Sequence, residues 1–268
     1  MSSFARSITE VNHLEAPNIT RLIYRNIKVN TDPGSLTILI GLPAMYLVFF
    51  GFGFASLQSS ASGGSSYLSF LTPGLMGFQA VMAGTVGGGM LWADRRWGML
   101  AQLLVGPFTR LQYLLGIMLT SVAFGLAGAL VMLGIADLLL GALPVSLIGL
   151  GFLLAVIAVG SIFFGSLMLL IAAKIKSNTT YNSIQILVLF LVNFASTVFY
   201  PYSSALPAAI RVLFAINPLT YIADAVRAGY FGAYTTTVGY EVLVLCAETV
   251  AVLFLAVRAY MRSDVSTE

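Results

Sequence analysis

The stretches LQYLLGIMLTSVAFGLAGALVMLGIADLLL (residues 111–140) and VSLIGLGFLLAVIAVGSIFFGSLMLLIAA (residues 145–173) decide the fold of this chain. Only the turn at 141–144 separates them, and Asp137 is their one charged residue. About 20 apolar residues in helical form cross the hydrocarbon core of a bilayer. A helix satisfies its own backbone hydrogen bonds, which lipid cannot do. Each run is therefore a membrane-spanning helix. The whole chain agrees: of 268 residues, 59% are hydrophobic and only 9% charged. Soluble domains carry about 25% charged residues. So few charges cannot cover a globule, and lipid must solvate much of the surface.

Four further apolar stretches flank this pair, at residues 35–57, 68–92, 181–200 and 238–258. Pro43 is a tolerated kink in the first. An uncharged Ser/Gly loop covers 58–66, a charged connector 94–110, and a basic segment 174–180. Residues 201–237 predict two short half-apolar helices, 203–216 and 217–231, with Asn217 as cap and Pro218 at the first helical position of the second. Neither is long enough to span, so they read as re-entrant or interfacial helices returning to one side. The predicted fold is all-α and polytopic. It has six transmembrane helices, an N-terminal interfacial amphipathic helix, and two short extracellular or re-entrant helices before the last span. Its parts are an N-terminal segment (1–34), the six-helix domain (35–260) and a tail (261–268).

Within the N-terminal segment Ile19, Leu22, Ile23 and Ile27 share one helical face, and Arg21, Arg25 and Lys28 the other. Asn18 is placed to cap this helix, and residues 31–34 stop it. A basic amphipathic helix beside a span lies on anionic headgroups; packing on a partner is compatible with that. With the N-terminus inside, 11 of the 13 Lys and Arg residues are cytoplasmic, and only Arg211 and Arg227 lie outside. Both termini are then cytoplasmic, in a multi-pass protein of the cell membrane. The net charge of +3 reflects those loops rather than nucleic-acid binding. No cleavable leader is expected, since no apolar stretch precedes a small-residue site in residues 1–34. The lone Cys246 rules out an intramolecular disulfide.

Few residues suggest catalysis, and no catalytic or metal-binding set is expected. His13 has no second histidine at metal-ligand spacing. Gly87-Gly88-Gly89 lacks the following Lys and Ser/Thr of a phosphate loop, so the chain carries no nucleotide site. Gly84 and Gly88 instead form a G-x-x-x-G pair for close helix contact. The connector, with Asp94, Arg95, Arg96, Gly98, Leu100, Leu103, Leu104, Pro107 and Arg110, starts charged, continues as a short helix and stops at Gly-Pro. It suits docking into a groove on another subunit, or it is a turn whose charges set topology. In the fifth span Asn182, Gln185, Asn193, Ser196 and Tyr200 share about one third of the circumference. Amides avoid lipid, so this stripe faces protein or lines a hydrated substrate route. The route is the reading for the stripe as a whole, and helix packing for Asn193 alone. Glu241 and Glu248 share a face of the last span, where a structural hydrogen bond for Glu248 is preferred to a proton relay.

Three segments resemble the ABC-2 type transporter permease family, in its drug- and lipid-exporting branch. They are Tyr67-Leu68-Ser69-Phe70-Leu71-Thr72-Pro73-Gly74, the connector from Asp94 to its final Arg110, and Asn217-Pro218-Leu219-Thr220-Tyr221 followed by Ala223-Asp224-Ala225-Val226-Arg227. Arg96 and Ala101 stand where the family's connector carries acids. The resemblance implies a dimer of six-span subunits, as homodimer or sister heterodimer. Each would be coupled to a cytoplasmic ABC ATPase, two copies in all, that binds the ATP and Mg. It also implies that the amphipathic helix and connector meet the ATPase, and that the first and fifth spans face the partner subunit around the pathway. Arg211, Asn217, Pro218, Tyr221, Asp224 and Arg227 would close the outer end. The expected function is ATP-driven export of a lipid or lipophilic drug. A polysaccharide or lipid-linked glycan is the alternative cargo. An ion-coupled secondary transporter would need inverted repeats and coupling acids, and no repeat is visible.

Overall fold

The computed structural model describes residues 18–58, 65–141 and 145–263, and among them helices are the only regular elements. His13, most of the 58–66 loop, residues 142–144 of the predicted turn and the tail after Ser263 lie outside the described residues.

Helix α1 (Asn18–Val29) is the amphipathic helix. Asp32 then starts a new turn, Pro33–Leu36, its carboxylate accepting from the Ser35 hydroxyl and from the Ser35 N–H at 3.0 Å. Those bonds, the hydroxyl's first, hold the Asp32 carboxyl below the usual range. A π-helical segment, Thr37–Gly41, leads into α2 (Leu42–Gln58). Pro43 has no N–H to return to the preceding turn, and the widened turn accommodates the missing bond.

Helix α3 (Ser65–Arg96) is the hub, with residues 71–84 buried in one unbroken run. Around it pack α2, α5 (Arg110–Leu140), α6 (Leu147–Lys174) and α9 (Pro218–Phe231). The short α4 (Met99–Val105) joins α3 to α5. α7 (Asn178–Phe194) touches the rest of the chain at few points, and α8 (Ala208–Ile216) precedes α9. The last helix, α10 (Thr236–Met261), lies against α6 and α9.

Among the described residues four stretches are long and apolar enough to cross a membrane: Pro33–Gly53, Arg110–Leu139, Leu147–Lys174 and Thr236–Met261. α8 and α9 pass that test together but bend by 75° at Asn217. The first of this pair begins at Ala208, later than the predicted residue 203. α3 is not among the four although it has 32 residues. Its neighbours are protein rather than lipid, so close approach matters more than hydropathy, and glycines occupy its contact positions.

The predicted fifth span is corrected. α7 stops at Phe194, with 17 residues, because the Asn217 side-chain amide donates to the carbonyls of Val192 and Ala195, both at 2.7 Å. Ser196 and Tyr200 therefore leave the helix, and the five-residue polar stripe does not form one face.

The Gly84/Gly88 expectation is met. A Cβ added at Gly84 would lie 2.5 Å from the Phe164 Cβ and 2.6 Å from its backbone carbonyl carbon. One at Gly88 would lie 2.5 Å from the Met168 Cβ. Backbone cannot yield cheaply, so overpacking of about 1–3 kcal/mol outweighs the gain of about 1 kcal/mol from replacing a helical glycine. At Gly89 nothing lies within 4 Å of the added atom. Gly84→Ala should lower the melting temperature of the purified protein in detergent, whereas Gly89→Ala should leave it unchanged or raise it. Equal effects would contradict this packing.

Candidate functional site

At one end of the bundle the connector is a built structure. α3 runs to Arg96, and Gly98, at φ 68°, turns the chain into α4. Glycine adopts this left-handed conformation without steric cost. Gly106-Pro107 ends α4, and Thr109 starts α5 through a capping box with Gln112.

Asp94 is buried at the end of α3, 6% exposed. A carboxylate there needs partners, and two other helices supply them. Arg25 of α1 forks onto both oxygens, its Nη1 donating to Oδ2 at 2.7 Å and its Nη2 to Oδ1. The Tyr113 hydroxyl of α5 donates to Oδ2 at 2.8 Å. The hydrogen bond to Asp94 raises the Arg25 guanidinium further above its ordinary range, against the opposing effect of burial. Beside this clamp Leu22 is buried against Gly116, and the Asn26 amide donates to the Thr120 hydroxyl at 3.5 Å.

The neighbouring arginines are also turned inward. Arg95, 3% exposed, donates to the carbonyls of Ala172 at 2.8 Å and Ala173 at 3.3 Å, near the end of α6. Arg110 donates to the carbonyls of Tyr260, Met261 and Ser263 at 3.2–3.3 Å, at the end of α10. Helix C-termini leave such carbonyls without intrahelical partners, and cations are favoured there.

These contacts correct part of the expected docking surface. Asp94, Arg95 and Arg110 hold the connector from within, and Leu100 is 1% exposed. Leu103 and Leu104 are half-buried against the core. Arg25 likewise sits on Asp94 rather than among headgroups, while Arg21 and Lys28 are exposed. The outward surface consists of Arg96, Trp97, Met99, Val105 and Pro107, with Trp97 75% and Val105 90% exposed. The Arg96 guanidinium lies 5.4 Å from the ring centres of both Trp92 and Trp97. Periodicity could have found this face. Leu100, Leu103 and Leu104 mark the inner stripe at i, i+3, i+4, which leaves positions 99, 102 and 105 outside.

At the opposite end lie Asn217 and, farther along α9, the Asp224–Arg227 pair. Asn217 caps α9 by accepting from the Leu219 N–H at 3.0 Å, and Pro218 follows as expected. Arg227 Nη1 donates to Asp224 Oδ1 at 2.6 Å. Its Nη2 reaches the carbonyls of Thr197 at 2.5 Å and Val198 at 3.2 Å, and its Nε that of Phe70 at 3.3 Å. The Thr197 hydroxyl donates to Asp224 at 2.8 Å. This network ties α9 to the start of α3 and to the chain leaving α7. Tyr221 bonds instead to the Ala215 carbonyl, within the bent pair. Arg211 is half-buried on α8, outside the network.

Of the proposed stripe, Asn182 is exposed and donates to Asn178, Gln185 is half-buried, and Asn193 is buried. The hydrogen bond preferred for Glu248 is not found: its Oε2 is buried without a partner among the described residues, as is that of Glu241. Gln79 went unnoticed in the sequence. It is fully buried in α3 against Gly128, and neither polar atom of its amide has a partner among the described residues.

Long apolar helices around a central glycine-rich helix, with a short helix held on a polar ledge, define a multi-pass membrane protein. Residues 18–231 match the ABC-2 type transporter family. The chain belongs to that family: it is the membrane permease subunit of an ABC transporter, a class that associates with an ABC ATPase subunit and generally lacks an ATPase site of its own. No protein of curated function matches it in sequence.

Removing Asp94 leaves Arg25 and Tyr113 without their acceptor, a loss of about 1–3 kcal/mol. Arg25→Ala and Asp94→Ala should each lower the melting temperature, and the double variant should lose less than the sum of the two. Additive losses would contradict a shared clamp.

Proposed function

We propose that this permease exports an amphipathic substrate, a lipid or lipophilic drug, and that ATP bound elsewhere drives it through α4. In this reading the chain spans the membrane six times, with α3, α7 and the four apolar stretches as spans, α8 and α9 as a re-entrant pair, and both termini cytoplasmic. The excess of Lys and Arg on one set of loops supports that orientation. Two permease copies, identical or sister chains, work with two cytoplasmic ATPase subunits, which bind the ATP and Mg. ATP binding draws the ATPases together, α4 receives the displacement, and the helices rock as rigid bodies. The largely apolar helices favour amphipathic cargo over a polar glycan.

The observation that carries the reading is the connector itself. A seven-residue helix presents exposed Met99 and Val105, with exposed Trp97 just before it. The flanks that carry it, Asp94 at the end of α3 and Arg110 at the start of α5, bond to α1, α5 and α10. An apolar, aromatic-bearing knob on a stiff mount suits insertion into a groove of another subunit. In the same reading Gln185 faces the substrate route, the buried Asn193 holds that part of α7 in place, and Asp224, Asn217 and Arg227 form the outer closure.

Trp97→Glu combined with Val105→Glu should weaken co-purification of the ATPase by about tenfold or more, the effect of losing one interface hot spot. Both side chains are exposed, so the melting temperature of the permease alone should not change. Full recovery of the complex would contradict α4 as the docking element. Asn193→Leu or Gln185→Leu should alter substrate-stimulated ATP turnover of the assembled complex. Normal turnover and transport in both would contradict these roles.

A further inference from the structure

We propose that the cleft between the C-terminal ends of α6 and α10 is a binding site for an anionic phospholipid. It is an open cleft with a volume of about 320 Å³, at the lower end of the range for ligand pockets. Its walls are Leu170 and Lys174 of α6, Leu255, Arg258 and Ala259 of α10, and Arg262 just beyond.

The layering of these residues selects the ligand. Leu170 lies one turn before Lys174, and Leu255 nearly one turn before Arg258. Both helices are long and apolar enough to cross a membrane, so their ends fall at headgroup depth. The cleft therefore offers an apolar floor toward the bilayer interior and three cations at its rim. A phospholipid has the same order, with acyl chain below and phosphodiester above.

Two observations separate this cleft from an ordinary basic helix end. First, the carbonyls of Tyr260, Met261 and Ser263 at the end of α10 already accept from Arg110. Arg258 and Arg262 are not needed there as caps. Second, Lys174, Arg258 and Arg262 are exposed, and neither described ion pair involves them. Three like charges around one cavity repel one another, and a phosphodiester relieves that repulsion. A guanidinium also matches phosphate geometry with two parallel donors. Phosphatidylcholine carries a balancing cation, so an anionic headgroup such as phosphatidylglycerol is favoured.

Native mass spectrometry of the full-length protein in detergent, with dioleoylphosphatidylglycerol or dioleoylphosphatidylcholine added, tests this directly. One phosphatidylglycerol per chain should be retained in preference to phosphatidylcholine. The triple substitution K174Q/R258Q/R262Q should weaken retention by at least about tenfold. L255W leaves all charges in place but fills the apolar floor, and it should also reduce retention; this arm decides if the triple variant does not fold. Inorganic phosphate at millimolar concentration should not displace the lipid. Equal retention of the two lipids, undiminished retention in the triple variant or, failing that, in L255W, or displacement by phosphate would overturn the site.

Discussion

A carboxylate buried at the end of a helix must find a cation and hydrogen-bond donors, and at Asp94 this requirement organises one whole end of the molecule. Arg25 and Tyr113 meet it from α1 and α5. The amphipathic helix is therefore fixed to the bundle. Arg95 and Arg110 extend the arrangement by occupying carbonyls at the ends of α6 and α10. Side chains of one short connector thus reach α1, α5, α6 and α10 while its backbone continues α3. In the proposed mechanism, a push on α4 is delivered to all of these together. Losing one partner of this buried group strands the others.

The far end is tied in a similar way. Arg227 gathers carbonyls from the loop after α7 and from α3, and Asp224 fixes its orientation. Between the two ends α3 and α6 meet through glycines, with little room for a side chain. α3 and its neighbours are therefore closely packed along their length. α7 is different: it makes few contacts within the chain and exposes Ile186, Leu187, Phe190 and Leu191. α2 likewise exposes Met45 and Phe49. Lipid or a second permease copy must cover these faces.

Hydropathy made the helical membrane fold legible, because runs such as residues 147–174 admit no other solvent. Local motifs were sufficient for the Gly84/Gly88 contact and for the Asn217-Pro218 helix start, where local chemistry dictates local structure. Both failed where a distant residue intervenes. Nothing within 181–200 announces that the Asn217 amide will take the carbonyls ending α7. The charged connector was recognised but turned the wrong way. Asp94, Arg95 and Arg110 look like a solvated cluster until the ends of α1, α6 and α10 are placed beside them. Gln79 gave no local signal, since one amide among glycines and methionines reads as any polar residue in a helix. Topology, burial and tertiary pairing are read with decreasing certainty from one chain, because each depends on more distant partners.

The central claim is that α1 moves as one body with the connector, α4 included, because Arg25 locks α1 onto Asp94 where the connector leaves α3. Electron paramagnetic resonance distances between spin labels at Tyr24→Cys and Val105→Cys, in a Cys246→Ala background of the assembled transporter, test it most directly. Both labelled positions are exposed and outside the clamp. The distance should stay within about 2 Å when ATP binds, while labels that report on the two permease copies move apart or together. A larger change between positions 24 and 105 on ATP binding would contradict the account.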